Sequence, residues 1–296
     1  MIKCPICQTE TKKEYCPTCA WEFEYYFDEL DLESKAIYED RLKIWSGLYS
    51  RLNDFEKGMI ASKVIPKQLP FKPEMVLIKG GSFMMGSDEY ENTKPIHQVT
   101  IDYDFEIGKY SVTFEEYDWY CNDTGIFKPS DSGFGRGRRP VINVSWNDVQ
   151  FYIEWLNKKT GESYRLPTES EWEFVAKANE ENQKKLENFA WYKHNSDNKT
   201  HEVGTKKSYG IGVYDLHGNV WEWCQDVYSD TYQNRAIDGS SHKEEGGTFF
   251  KKEDKKVLRG GSWYHDLSRS CSGNRTGENK TVQTNRIGFR LQRTLP

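Results

Sequence analysis

Long apolar runs are missing from this chain. No stretch approaches the roughly 18 consecutive apolar residues of a membrane-spanning helix, which argues against a helical membrane protein. The start, MIKCPICQ, has no apolar core of the kind a secretory signal needs, so the expected compartment is the cytoplasm. A surplus of basic charge is missing too. Its 41 Lys and Arg stand against 46 Asp and Glu, a formal charge of −5 that repels a phosphate backbone and disfavours general nucleic-acid binding. There is no nucleophile elbow and no phosphate-binding glycine loop. Residues 133–139, GFGRGRR, are glycine-rich but lack the lysine-serine ending and read as a flexible loop. Six scattered histidines show no pair at helical metal spacing, which argues against catalytic zinc or non-haem iron.

What is present is aromatic. Hydrophobic residues make up only 36% of the chain but Phe, Trp and Tyr reach 15%, so a core can be built from few, large, amphipathic side chains. Such content excludes sustained disorder and suits a loop-rich fold. With 296 residues, one sizeable domain plus a small appendage is expected.

The cysteines divide in the same way. Cys4, Cys7, Cys16 and Cys19 form C-x2-C-x8-C-x2-C, while Cys121, Cys224 and Cys271 are scattered. Two thiolate pairs on tight turns fit tetrahedral zinc, and four thiolates leave no position open for substrate, so the zinc is expected to be structural. A disulfide pair or a redox Cys-x-x-Cys is the alternative. The knuckle is assigned to residues 1–22. An amphipathic helical segment follows over 23–62, with Leu32, Tyr38, Leu42, Trp45, Leu48, Tyr49 and Leu52 near one stripe. Residues 63–73, KVIPKQLPFKP, hold three prolines and read as a linker.

The main domain is placed at residues 74–296. Met75, Val76, Leu77 and Ile78 read as a strand, and the glycines at 80 and 81 before FMMG suggest a hairpin. Ser145 with Asp148, and Thr168 with Glu171 directly after Pro167, have the spacing of capping boxes. Each precedes an aromatic helix face.

Several runs in this domain occur in a telling order: MVLIKGGSFMMGS (75–87), HQVTID (97–102), IGKYSVT (107–113), RPVINVSWNDVQFYIEWLN (139–157), YRLPTESEWEFVA (164–176), YDLHGNVWEW (214–223), LRGGSW (258–263) and IGFRL (287–291). Through them the chain resembles the formylglycine-generating enzyme, or sulfatase-modifying factor, family. That resemblance implies an α+β fold, a variant of the C-type lectin fold, preceded here by the zinc knuckle and helix. It also implies a calcium loop at Asp215, Gly218, Val220 and Glu222, a carboxylate–carbonyl set that suits a hard cation. A capping role for Asp215 and an arginine partner for Glu222 are the alternatives.

The family's oxidases hold copper and engage a substrate cysteine with two cysteines after the Gly-Gly-Ser-aromatic turn. At the matching positions this chain has His265 and Ser270, and Cys271 better matches a structural position in CSGNR (271–275). A lone thiol does not reproduce a two-thiolate soft-metal site. The expectation is therefore a non-enzymatic protein that binds a ligand or a protein partner through Tyr264, His265, Asp266, Ser268, Arg269, Ser270, Ser272 and Asn274, the mixed chemistry of an adaptable paratope. The layout of GGSW, polar stretch and GFRL also resembles variable proteins of diversity-generating retroelements. Two alternatives stay open: a formylglycine-generating-type oxidase acting on protein cysteines, and an adaptor whose zinc ribbon carries the contact.

Overall fold

The structure is a computed structural model and describes residues 2–3, 10–11, 72–178, 186–208, 210–242 and 255–295. The amphipathic segment 23–62, the four knuckle cysteines and most of the linker lie outside the described residues. The chain divides into two units, Met1–Pro70 with Cys121–Phe127, and Phe71–Tyr120 with Lys128–Pro296. In the first, β1 (Ile2–Lys3) pairs antiparallel with β2 (Glu10–Thr11).

The larger unit is built on two four-stranded sheets. β3 (Met75–Ile78) lies against β6 (Phe105–Gly108), which pairs with β12 (Gln292–Thr294), which pairs with β7 (Tyr164–Arg165). The order of the second sheet is β10 (Arg275–Asn279), β9 (Lys255–Arg259), β8 (Trp221–Val227) and β11 (Ile287–Gly288), with β11 alone running parallel to its neighbour.

The expected hairpin out of β3 is not formed. β3 pairs with β6 in the register Val76↔Ile107, while β4 (Gly81–Met85) pairs with β5 (His97–Ile101). The glycines mark a crossing between two sheets. Asp104 takes the Lys79 ammonium at 2.5 Å and the Gly80 N–H at 3.1 Å, which ties this corner to the start of β6. A Cβ on Gly80 would meet the Ile101 carbonyl oxygen at 2.5 Å, so glycine is needed there for close backbone approach.

Both expected capping boxes are present. Ser145 and Asp148 start α2 (Trp146–Thr160), and Thr168 and Glu171 start α3 (Glu169–Lys177); each box satisfies two otherwise orphaned N–H groups. α1 (Phe114–Thr124) opens with a third that was not anticipated, in which Glu116 accepts from the Thr113 N–H at 2.8 Å and Thr113 Oγ1 accepts from the Glu116 N–H at 3.3 Å. Aromatic side chains fill the core as the composition suggested. Tyr117 stacks on Tyr152 at 5.2 Å, Phe289 meets Tyr152 edge-on at 5.4 Å, and Trp172 and Trp223 are fully buried.

The core is also charged. Arg259, Arg275 and Arg290 rank with the largest fully buried side chains, and each is matched by carboxylate. Glu169 Oε1 accepts from Arg259 (3.0 Å), Arg275 (2.6 Å) and the Tyr232 hydroxyl (3.0 Å), and its Oε2 takes a second Arg275 N–H at 2.9 Å. Glu173 takes the other arm of Arg259 at 2.6 Å. Arg275 also lies over the rings of Tyr228 and Tyr232, 4.6 Å from each centroid. Glu169 and Glu173 of PTESEWE and the arginines of LRGG and GNR are thus one buried network joining α3, β9 and β10. Their role is architectural.

Candidate functional site

Between the arginines at positions 259 and 275 the chain leaves the sheet as a loop, and its base is rigid. Gly261 has φ +75°, and a Cβ there would sit 2.6 Å from Ser270 Oγ and 2.7 Å from the Arg269 carbonyl oxygen, so the two ends of the loop touch at this glycine. Trp263 seals the base. Its backbone N–H donates to Asn219, its indole N–H donates to the Asn285 carbonyl at 2.8 Å, and the Phe134 ring packs edge-on at 5.3 Å. Phe134 belongs to the glycine-rich segment expected to be flexible. Asp131 instead accepts the Gly133 and Gly135 N–H groups at 3.1 and 3.2 Å, and Arg136 grips Asp118, so the segment is held by polar staples that glycine content alone conceals.

Beyond Trp263 the chain turns outward. Tyr264 is 47% exposed, and the Arg286 guanidinium stacks over its ring at 3.6 Å from the centroid. His265 is half-buried between Trp221 (5.7 Å) and Tyr264 (5.6 Å), with Nδ1 2.8 Å from Ser262 Oγ. Its basicity is lowered by burial and then by the nearby charges of Arg286 and Arg269. Asp266 is exposed and lies 3.3 Å from His194 and 3.9 Å from Lys193. Ser268 and Arg269 are exposed on the short turn that follows.

Ser270, Ser272 and Asn274 are placed differently, at 0%, 4% and 1% exposure. These three need correcting as ligand contacts, because they form the underside of the loop. The Ser272 carbonyl accepts from Arg259, and the Asn274 amide donates to the Arg269 carbonyl at 2.8 Å, which closes the turn. Arg286 was missed. The available signal was a cation directly before IGFRL, at the close of the polar stretch.

The positions that the resemblance assigns to thiols hold a histidine bonded to Ser262 and a buried serine. Cys224 is fully buried, and Cys271 is half-buried with its sulfur 3.8 Å from the Tyr90 hydroxyl. Among the described residues, no group of three or more His, Cys, Asp or Glu is arranged to hold a metal.

The calcium set does not fit as a whole. Glu222 is the counter-ion of Arg290, taking it at 2.9 Å on each oxygen, and it also accepts the Trp172 indole at 2.8 Å and the Ser111 hydroxyl at 2.7 Å. Those bonds occupy its lone pairs. Asp215 accepts the Gly204 N–H at 2.7 Å through Oδ2 and keeps Oδ1 buried without a hydrogen-bond partner; burial pushes its carboxyl up to about 6. Gly218 is reserved for close packing, since a Cβ would come 2.2 Å from the Trp191 carbonyl oxygen. The expected ligand Val220 is buried in the core.

Comparisons with known proteins place this mixed helix-and-sheet unit, with its polar loop on a charged core. The chain belongs to the sulfatase-modifying factor enzyme 1-like domain family, whose model matches residues 61–295. PvdO from Pseudomonas aeruginosa is similar, with 34% identity and a TM-score of 0.68 over 75% of this chain and 95% of that one. Treponema denticola variable protein 1 has 26% identity and a TM-score of 0.63 over the same shares. The expected α+β, C-type-lectin-type fold is therefore the fold of the larger unit.

Among curated relatives, a protein named serine/threonine-protein kinase pkn1 from Chlamydia pneumoniae is 30% identical over 79% of this chain and 40% of its own length. The chain spans about two-fifths of such relatives. Relatives of both catalytic kinds occur: a formylglycine-generating enzyme from Streptomyces coelicolor (31% identity, 58% of this chain, 60% of that protein) and an inactive C-alpha-formylglycine-generating enzyme 2 from Bos taurus (26%, 73% and 86%). Among the described residues, no helix is long and apolar enough to cross a membrane.

Proposed function

We propose that this protein is a non-catalytic recognition protein, which captures a protein partner or ligand on the face formed by Tyr264, His265, Asp266, Ser268 and Arg269. One observation carries the reading: the loop that follows Gly-Gly-Ser-Trp puts rings and charges outward on a locked base, and has imidazole and a buried hydroxyl where the resemblance puts two thiols. A rigid base with an exposed, chemically mixed rim is what a binding face needs, since little ordering entropy is lost on capture. The likeness to a variable protein supports it. On this reading the outward positions of the loop can change identity while the buried ones cannot.

The test is replacement of Tyr264, His265 and Arg269 together by alanine in the full chain. Capture of partner is expected to be lost with the urea midpoint unchanged, and normal capture by a folded triple variant would rule the face out. The rival oxidase reading is checked by mass spectrometry of a Cys-x-Pro-x-Arg peptide incubated with the protein and copper. Loss of 18 Da, on the order expected for thiol-to-aldehyde conversion with exchange of sulfur for oxygen, would revive it.

Cys4, Cys7, Cys16 and Cys19 are proposed to hold one structural zinc, a reading supported by their C-x2-C-x8-C-x2-C spacing. Elemental analysis is expected to find one zinc per chain and none after all four become serine.

A further inference from the structure

Arginines in the described residues mostly hold carboxylates: Arg136 with Asp118, Arg165 with Glu171, Arg259 and Arg275 with Glu169, Arg290 with Glu222, and Arg293 with Glu106. Arg138, Arg139, Arg235, Arg269 and Arg286 form no ion pair among the described residues, and of these Arg269 and Arg286 both act on His265 in the loop. Stacking on Tyr264 fixes the plane of the Arg286 guanidinium while leaving its N–H edges for a fork-like pair of hydrogen bonds. The one acidic residue of the segment 264–274, Asp266, faces His194 and Lys193 at 3.3 and 3.9 Å. Glu89 and Arg269 both act on the Tyr90 hydroxyl and form no ion pair with each other. The rim is thus locally cationic on a chain whose formal charge is −5.

We infer that the partner presents an acidic peptide segment, whose carboxylates pair with Arg286 stacked on Tyr264 and with Arg269. This rests on the recognition reading above and names the chemistry it takes. A guanidinium held flat against a ring presents two N–H groups in the fork that a carboxylate accepts in parallel, and the charge of Arg269 on the same loop adds attraction for a second carboxylate.

Fluorescence anisotropy of the full chain with labelled octaglutamate, octalysine and a glycine-serine octamer tests it, at about 50 and 200 mM salt. Octaglutamate alone is expected to bind, more weakly at the higher salt. Arg269→Gln with Arg286→Gln should weaken it about tenfold or more at an unchanged urea midpoint. Arg286→Lys, which keeps the charge and loses the fork, should fall between. Binding that the double variant retains, no binding of octaglutamate at millimolar concentration, or equal displacement by inorganic phosphate at matched charge would each overturn the inference. If octaglutamate fails while Tyr264→Ala still abolishes partner capture, the acid preference is wrong and the recognition face stands. If octaglutamate binds through the two arginines while replacing Tyr264 and His265 leaves partner capture intact, the carboxylate site stands and the wider face falls.

Discussion

Replacing Glu169 by glutamine removes one charge from the centre of the buried network and changes almost no volume. The carboxylate it replaces accepts three N–H groups from two arginines and one tyrosine hydroxyl, with Arg259 and Arg275 both out of water. Burial alone would raise the Glu169 carboxyl; the charges of Arg275 and Arg259 outweigh it and hold the group down at about 2, from an ordinary 4.5. A depressed carboxylate contributes stability that is present above its unfolded value and lost as pH falls through its folded one. The shift corresponds to about 3 kcal/mol at pH 7, in line with the ~3–5 kcal/mol lost when one partner of a buried pair is removed. Urea unfolding is the assay. Glu169→Gln is expected to lose about 3 kcal/mol at pH 7 and under about half of that at pH 3, where the wild-type group has begun to lose its advantage. Arg275→Met combined with Glu169→Gln should cost less than the sum of the two alone by about 2 kcal/mol. A loss below about 1 kcal/mol at pH 7, or additive single effects, would show that the network does not hold the fold.

Three further outcomes follow from the geometry. Asp215 is raised to about 6 from 3.8, so the wild-type chain loses about 3 kcal/mol through this group as pH rises from about 4 to about 6, and Asp215→Asn should flatten that part of the pH–stability profile; an unchanged slope refutes it. Gly261→Ala combines a positive φ with contacts of 2.6 and 2.7 Å to the far end of the loop, and should cost about 2 kcal/mol by thermal unfolding and weaken partner capture. Thr168→Ala removes the acceptor for the Glu171 N–H at 3.1 Å and should cost about 1 kcal/mol; a change below the error of a urea titration would mean the capping box is redundant.

Local chemistry was legible in the sequence and distant chemistry was not. The boxes at Ser145 and Thr168 are three-residue devices, and their helices start where the spacing put them. The partners of Glu169 are 90 and 106 residues away, so neither periodicity nor spacing reveals that a motif glutamate and two motif arginines share one buried site. The hairpin expected after β3 failed for the same reason, since its partner strand β6 starts 27 residues beyond the end of β3 and is tied in by Asp104. Within the loop, polarity was taken for exposure. Tyr264 and Arg269 satisfy that inference, whereas Ser270, Ser272 and Asn274 are buried beneath the loop, where the Asn274 amide closes the turn onto the Arg269 carbonyl and Ser270 Oγ has no hydrogen-bond partner among the described residues.

The clasp formed by Arg259 on one side of the loop and Arg275 on the other has an evolutionary corollary. Because both strand ends are fastened to the same glutamate, the closure of the scaffold rests on this buried clasp and not on the exposed side chains of the rim. On the proposed recognition reading, drift in the tyrosine, aspartate or arginine of the rim would re-aim the molecule toward new targets at little cost to folding.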